Sequence, residues 1–229
     1  MILDPKVIPA SDRSILVQFG DEISEDLHHQ VILFTQGLLA SSHQAISNIS
    51  PGYSSVLVRL HPKATMAEGM DTIAEILKEE HPGNTIPQRT VEIPVCYEDD
   101  FSPDLGRVLK HTGYDKEELI ERHTSGIYLV YFLGFSAGFP YIGGMDESLA
   151  TPRLETPRKT VPAGSVGIAG YQTGMYPLST PGGWNLIGRT PLPLFNRSEP
   201  KDTAIRMGDR IRFRTVGRAE FESLGQSQS

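Results

Sequence analysis

Cysteine is almost missing from this chain: Cys96 is the only one in 229 residues. A single thiol makes no internal disulfide, so the fold rests on its packed core and suits a reducing compartment. No Cys/His cluster has metal-ligand spacing, which excludes a zinc-ribbon or zinc-finger design. Long apolar runs are missing too. The longest lies near "GIYLVYFLGF" (126–135) and falls well short of the ~20 residues of a membrane-spanning helix. The opening "MILDPKVIPA" lacks a basic segment followed by an apolar one, so no signal peptide is expected. Positive charge is in deficit. Lys and Arg number 21 against 28 Asp and Glu, and the net charge of −7 argues against a general nucleic-acid binder. The pattern G-x-x-x-x-G-K-[ST] does not occur, so a nucleotide would bind in some way other than a Walker A loop. The expectation is a cytoplasmic protein that uses neither a membrane nor a nucleic acid.

What is present falls into two textures. The first ninety-odd residues alternate regular elements. "SILVQFG" (14–20) reads as a strand, and 23–40 as a helix with Leu27, Val31, Phe34 and Leu38 on one face. Ser24 is its expected N-cap, with Glu25 and Asp26 suiting the positive end of the dipole. "AISNIS" (45–50) and "SSVLVRL" (54–60) are strand-like and joined by Pro51-Gly52. A second helix opens on the capping-box pair Thr65 and Glu68 and carries the stripe Met66, Met70, Ile73 and Leu77. "RTVEIPVCY" (89–97) is the next strand. The order βαββαβ predicts a ferredoxin-like sandwich over 1–92. Two short helices are expected next. One, at 102–113, has Ser102 as cap, Pro103 at the first position and Gly113 as stop. The other, at 115–124, is capped by Asp115 with Glu118.

After Gly126 glycine and proline arrive every few residues, and the helical period disappears. Short β-like pieces remain at 127–133, 165–170, 184–188 and 209–214, which predict a barrel or sandwich over 93–222. The fold class is therefore α+β, and 223–229 is expected to be a disordered tail.

The chemistry-bearing residues sit in the loops of this second half. Arg153, Arg158, Lys159 and Arg189 lie there, while Asp146, Glu147 and Glu155 are the only acids between 134 and 195. Grouped cations in glycine-rich loops suit a phosphate or carboxylate, which Arg binds bidentately and backbone N–H groups help to hold. Each single Arg has a plainer alternative, packing on an aromatic or pairing with a distant acid. His123 is a candidate acid or base, or else a helix-end histidine favoured by the dipole. Trp184, the one tryptophan, follows Gly182-Gly183 and suggests an aromatic wall. Tyr131, Tyr141, Tyr171 and Tyr176 line a pocket or pack the barrel. Ser136 fits G-x-S-x-G, but Pro140 and Gly143-Gly144 stand where a nucleophile elbow needs a helix.

The segments "YLVYFLGFSAGFPYIGGM", "TPRLETPRKTVPAGSVGIAGYQTGMYPLSTPGGW" and "IGRTPLPLF" closely resemble the B-subunit family of 5-oxoprolinase. Its relatives include allophanate hydrolase subunit 1, the carboxyltransferase subdomain C and D of urea carboxylase, and a sporulation histidine-kinase inhibitor. "GDEIS", "PGYSSVLVRL" and "IPVCYEDDFSPDLGRVLKHTG" extend the likeness over nearly the whole chain. One departure is Ala137, where the family usually has proline in Gly-Phe-x-Pro-Gly-Phe. The resemblance implies a cyclophilin-like β-barrel as the C-terminal domain. It implies work in a complex with a C-subunit-like carboxyltransferase-domain protein and an A-subunit-like protein, opening 5-oxo-L-proline to L-glutamate with ATP and Mg. A metal site in this chain is not implied, and the chain on its own is expected to be inactive. The alternatives are a non-catalytic regulator of a sensor histidine kinase and a subunit of a urea- or allophanate-metabolising enzyme. The expected catalytic residues are His123, Lys159 and Arg158. The expected substrate- or phosphate-binding residues are Arg153, Arg189, Gln172, Thr173, Tyr176, Trp184, Gly182 and Gly183. The loop 179–195 faces either a ligand or a partner chain.

Overall fold

A turn at Asp12-Arg13 folds strand β1 (Lys6–Ser11) back on strand β2 (Ser14–Gln18). Alternation along β2 then buries Ile15 and Val17 on one face. The computed structural model describes residues 5–41, 43–78, 89–196, 198–199 and 203–226. Helix α1 (Glu25–Ser41) follows, its first turn capped by the Ser24 hydroxyl accepting from Leu27 N at 3.3 Å. Strands β3 (Ile46–Pro51) and β4 (Ser55–Leu60) form a hairpin, and α2 (Met66–Lys78) closes the set. The Thr65–Glu68 capping box forms, with Glu68 N donating to Thr65 Oγ1 at 3.2 Å and Thr65 N to the Glu68 carboxylate at 2.7 Å. The sheet is antiparallel in the order β1-β2-β4-β3. Both helices pack on the face that carries Ile15, Val17, Val56, Val58 and Leu60.

This corrects the expected βαββαβ order. The place beside β2 that a final strand would take belongs to β1, a strand with no alternation of its own to predict it. The strand at 89–97 exists as β5 (Thr90–Val95), but it lies in the second compact unit, Gln88–Ser229, rather than the first, Met1–Pro87. Local pattern gives a strand's existence and leaves its partner open.

In the second unit β5 leads to helices α3 (Leu105–Thr112) and α4 (Lys116–Ser125). Asp115 caps α4 by accepting from Glu118 N at 2.8 Å, as its spacing predicts. The start of α3 differs from expectation. Asp104 is its N-cap residue, and the Ser102 hydroxyl is spent on the carbonyls of Tyr97 and Glu98. Strands β6 (Tyr128–Leu133), β7 (Pro140–Gly143), β8 (Arg158–Val161), β9 (Ser165–Ala169), β10 (Gln172–Met175), β11 (Thr180–Gly182), β12 (Asn185–Arg189) and β13 (Arg210–Thr215) follow. Helix α5 (Arg218–Gln226) ends the described chain, so 223–226 are helical rather than a disordered tail; 227–229 lie outside the described residues.

Seven of these strands form one sheet, ordered β12-β9-β10-β7-β6-β13-β5, with β13 and β5 parallel. Its two edges meet. Cys96 N donates to Arg189 O at 2.8 Å, and Arg189 N donates to Cys96 O at 3.0 Å. The sheet is thus a nearly closed barrel filled by Ile93, Val95, Val130, Ile142, Val166, Ile168, Ile187 and Phe213. Strands β8 and β11 pair separately as a two-stranded flap. An outer cluster of Phe139, Val161, Ala169, Tyr176, Trp184 and Leu186 packs beside it. β9 is therefore buried on both faces, with Val166 and Ile168 in the barrel core and Ala169 in the outer cluster. Among the described residues no helix is long and apolar enough to cross a membrane.

Candidate anion site

Tyr176 follows β10 into the outer cluster, where its ring is 1 % exposed. Its hydroxyl lies against Gly182, occupying the space a Cβ would need there. Gly182 in turn pairs with Arg158 across the flap. Burial pushes the Tyr176 phenol above its ordinary pKa, while a hydrogen bond from the Trp184 backbone and the charges of Arg153 and Arg158 oppose that shift. Arg158, Gly182 and the Tyr176 hydroxyl are thereby neighbours at the flap, and a guanidinium with a phenol O–H is a pair that holds an anionic oxygen.

The flap is tied to the barrel by a polar network that the loop sequences do not announce. Arg158 Nη2 donates to Asp104 Oδ1 at 2.6 Å, and Asp104 Oδ2 accepts from Leu186 N at 2.7 Å. Arg107 Nε donates to Asn185 Oδ1 at 2.8 Å, and its Nη2 reaches the carbonyls of Pro152 and Arg153 at 3.3 and 3.4 Å. Asn185 Nδ2 donates to the carbonyls of Pro152 and Ile168 at 2.9 and 3.0 Å. Leu154 N donates to Gly183 O at 2.8 Å. The backbone around Arg153 is pinned while its side chain stays exposed. The spacing Asp104/Arg107 on one helical turn is the signal in the sequence that points to this network. The loops look poor in acid because the acid that serves Arg158 comes from 54 residues earlier.

The remaining expected residues lie apart from this group or serve it indirectly. Lys159 is exposed on β8. Arg189 ends β12, half-buried, with Nε donating to Ala163 O at 2.9 Å. Gln172 is half-buried on β10 opposite Ala169. Gly183 packs near Pro157. Trp184 is no surface plate. It is 8 % exposed and meets Phe139 edge-to-face at 5.6 Å and Tyr176 at 6.3 Å. A turn tryptophan is buried here because the flap and the barrel wall close over it.

His123, read from the sequence as a candidate acid or base or else a helix-end histidine, is a buried imidazole at the end of α4. It is 0 % exposed and stacks on Phe213 at 4.5 Å. Nδ1 lies 2.8 Å from the Tyr97 hydroxyl and Nε2 2.9 Å from Thr173 Oγ1. Thr173 donates its own hydroxyl proton to Gly167 O at 3.1 Å. It therefore accepts from Nε2–H, and Nδ1 accepts from Tyr97. Burial lowers the His123 pKa to about 3, so the ring is neutral at ordinary pH. Thr173 is buried in the same chain and faces this histidine, not the cations. Among the described residues no three His, Cys, Asp or Glu side chains are placed to share a metal ion. A separate surface depression of about 380 Å³, lined by Leu38, Leu39, His43 and Ile46–Ile49, lies in the first unit.

The chain as a whole has recognisable relatives among known proteins. The family profile described as carboxyltransferase domain, subdomain C and D, matches residues 5–205. The chain is 38% identical over 229 residues to the 5-oxoprolinase B-subunit of Bacillus subtilis (strain 168), covering 95% of each. It is 45% identical over 165 residues to the 5-oxoprolinase B-subunit of Escherichia coli O157:H7, covering 71% of this chain and 75% of that one. Among solved structures, the crystal structure of TTHA0988 superposes with a TM-score of 0.79 at 31% identity, covering 89% of this chain. The chain spans 40% of that longer protein.

Proposed function

The chain belongs to the carboxyltransferase domain, subdomain C and D, family, and from that premise we propose that it works as the B-subunit of an ATP-dependent 5-oxoprolinase. The observation that carries this is the end-to-end match to the Bacillus subtilis protein. The complex opens the ring amide of 5-oxo-L-proline to L-glutamate. Its other members are a C-subunit-like carboxyltransferase-domain protein and an A-subunit-like protein.

The substrate fits the group around Tyr176. A lactam is a neutral, stable amide, so its carboxylate is the part that cations can grip. Arg158 and Arg153 bind that carboxylate or a phosphoryl oxygen, and the Tyr176 hydroxyl donates to the same oxygen. When bound in the complex, ATP with Mg would provide phosphoryl chemistry at the lactam oxygen, and Arg158 and Arg153 would hold its charge. This chain's part is to bind, orient and neutralise charge. Lys159 adds charge at the exposed rim of β8. Arg189 acts from the barrel mouth, where its Nε is already held by Ala163. His123 is a positioning residue, fixing α4 to β10 through Thr173. Gly182 and Gly183 leave room for the phenol and the flap backbone.

The test starts from the tagged chain isolated from its native cells. Mass spectrometry of the eluate is expected to find a carboxyltransferase-domain partner in a fixed ratio. A sensor histidine kinase in its place would move the chain to the regulatory branch of the family.

A further inference from the structure

Asp104 is the N-cap residue of α3, yet its side chain caps nothing. An N-cap aspartate ordinarily accepts from an N–H of the first helical turn. Here both carboxylate oxygens turn away from the helix. Oδ2 accepts from Leu186 N on β12 and Oδ1 accepts from Arg158 on the flap. The residue is only 8 % exposed, a depth at which a carboxylate is seldom found without a partner. Arg158 touches this acid through Nη2 alone, and its Nη1 has only a 3.5 Å approach to Trp184 O. A guanidinium is a rigid plane with five N–H groups. Holding one edge fixes the plane of the rest, on a residue whose register partner across the flap is Gly182, the glycine that meets the Tyr176 hydroxyl.

We propose that Asp104 is a positioning residue for substrate binding: anchored to Leu186 of the barrel wall, it holds the Arg158 guanidinium in the plane in which its free N–H edge, with Arg153 and the Tyr176 hydroxyl, grips a carboxylate or phosphoryl oxygen. This rests on the anion-site reading given above. Arg107 and Asn185 do for the backbone of Arg153 what Asp104 does for the side chain of Arg158. The two arginines are thereby held from the same turn of α3, by residues 104 and 107.

The experiment measures KM for 5-oxo-L-proline and for ATP, with kcat, on the complex carrying Asp104→Asn, Arg158→Ala or both. Asparagine keeps the shape and the acceptor for Leu186 N and removes the charge that holds Arg158. Asp104→Asn is expected to raise one KM about tenfold with kcat within threefold of wild type. The double variant is expected to be no worse than Arg158→Ala alone, because Asp104 acts through Arg158. If Arg158→Ala raises KM and Asp104→Asn does not, the inference is overturned while the anion site stands. If Arg158→Ala changes neither KM, the anion site itself falls, and the inference with it. A merely structural Asp104 would lower thermal stability and the yield of active complex at unchanged KM, which also overturns it. Should Asp104→Asn not accumulate folded, Asp104→Glu carries the test. Glutamate keeps the charge but moves it by one methylene, so a raised KM with kcat little changed supports the inference and an unchanged KM overturns it.

Discussion

Gly182 shows what one residue can decide in this fold. A Cβ there would meet the Tyr176 hydroxyl and two of its ring carbons. Gly182→Ala is expected to cost about 1–3 kcal/mol, the usual range for overpacking a filled site. Urea unfolding measures it, and adding Tyr176→Phe is expected to return part of the loss because the hydroxyl leaves. His123 gives a second test at this scale. Its folded pKa of about 3 lies below the ordinary 6.5, so under pH 6.5 the unfolded chain takes up a proton that the folded chain refuses. Stability is therefore full above pH 6.5 and falls below it by about 1.4 kcal/mol per pH unit, down toward pH 3. Urea midpoints at pH 7.5 and 5.0 are expected to converge in His123→Phe relative to wild type; equal pH slopes in the two proteins would contradict the buried-neutral ring. The sequence marks His123 as chemistry-bearing without revealing its burial directly. Leu119 and His123, four apart on one face of α4 and both buried, hold that information.

At the scale of elements, the barrel depends on the meeting of β5 and β12. Gly188 makes that approach possible, since a Cβ there would lie 2.6 Å from Val95 Cγ1 and 3.0 Å from the carbonyl of Cys96. Gly188→Val is expected to force the edges apart. Hydrogen exchange would then show early loss of protection at the amides of Cys96 and Arg189, with the β1–β4 sheet unchanged; uniform loss over both sheets would contradict a local effect. The strands with their own alternation or apolar run are legible: β2, β3, β4, β6, β9, β12 and β13. Those of three or four residues cut by glycine or proline are not, namely β7, β8, β10 and β11. Such pieces are strands because neighbours complete their ladders, and that is non-local information. For the same reason β5 is legible as a strand while its sheet is not. Its partner β13 lies more than a hundred residues away. The candidate site is half legible. The cations and glycines stand in the loops, while their acid, Asp104, stands on a helix that looks like a connector.

At the scale of the whole molecule, three of the four loop cations of the second unit are committed. Arg158 is held by Asp104, Arg189 by a carbonyl, and Arg153 by its pinned backbone. This arrangement suits one small anion presented by a partner chain better than a broad basic surface. It also explains why a chain with a net charge of −7 can carry an anion site. The most direct test measures phosphate release by the purified native complex with and without 5-oxo-L-proline, alongside L-glutamate formed. Hydrolysis that rises with 5-oxo-L-proline, yields glutamate in step and disappears when this chain is omitted is the predicted result. Undiminished 5-oxo-L-proline-dependent hydrolysis in the absence of this chain would contradict its place as a working member of the complex.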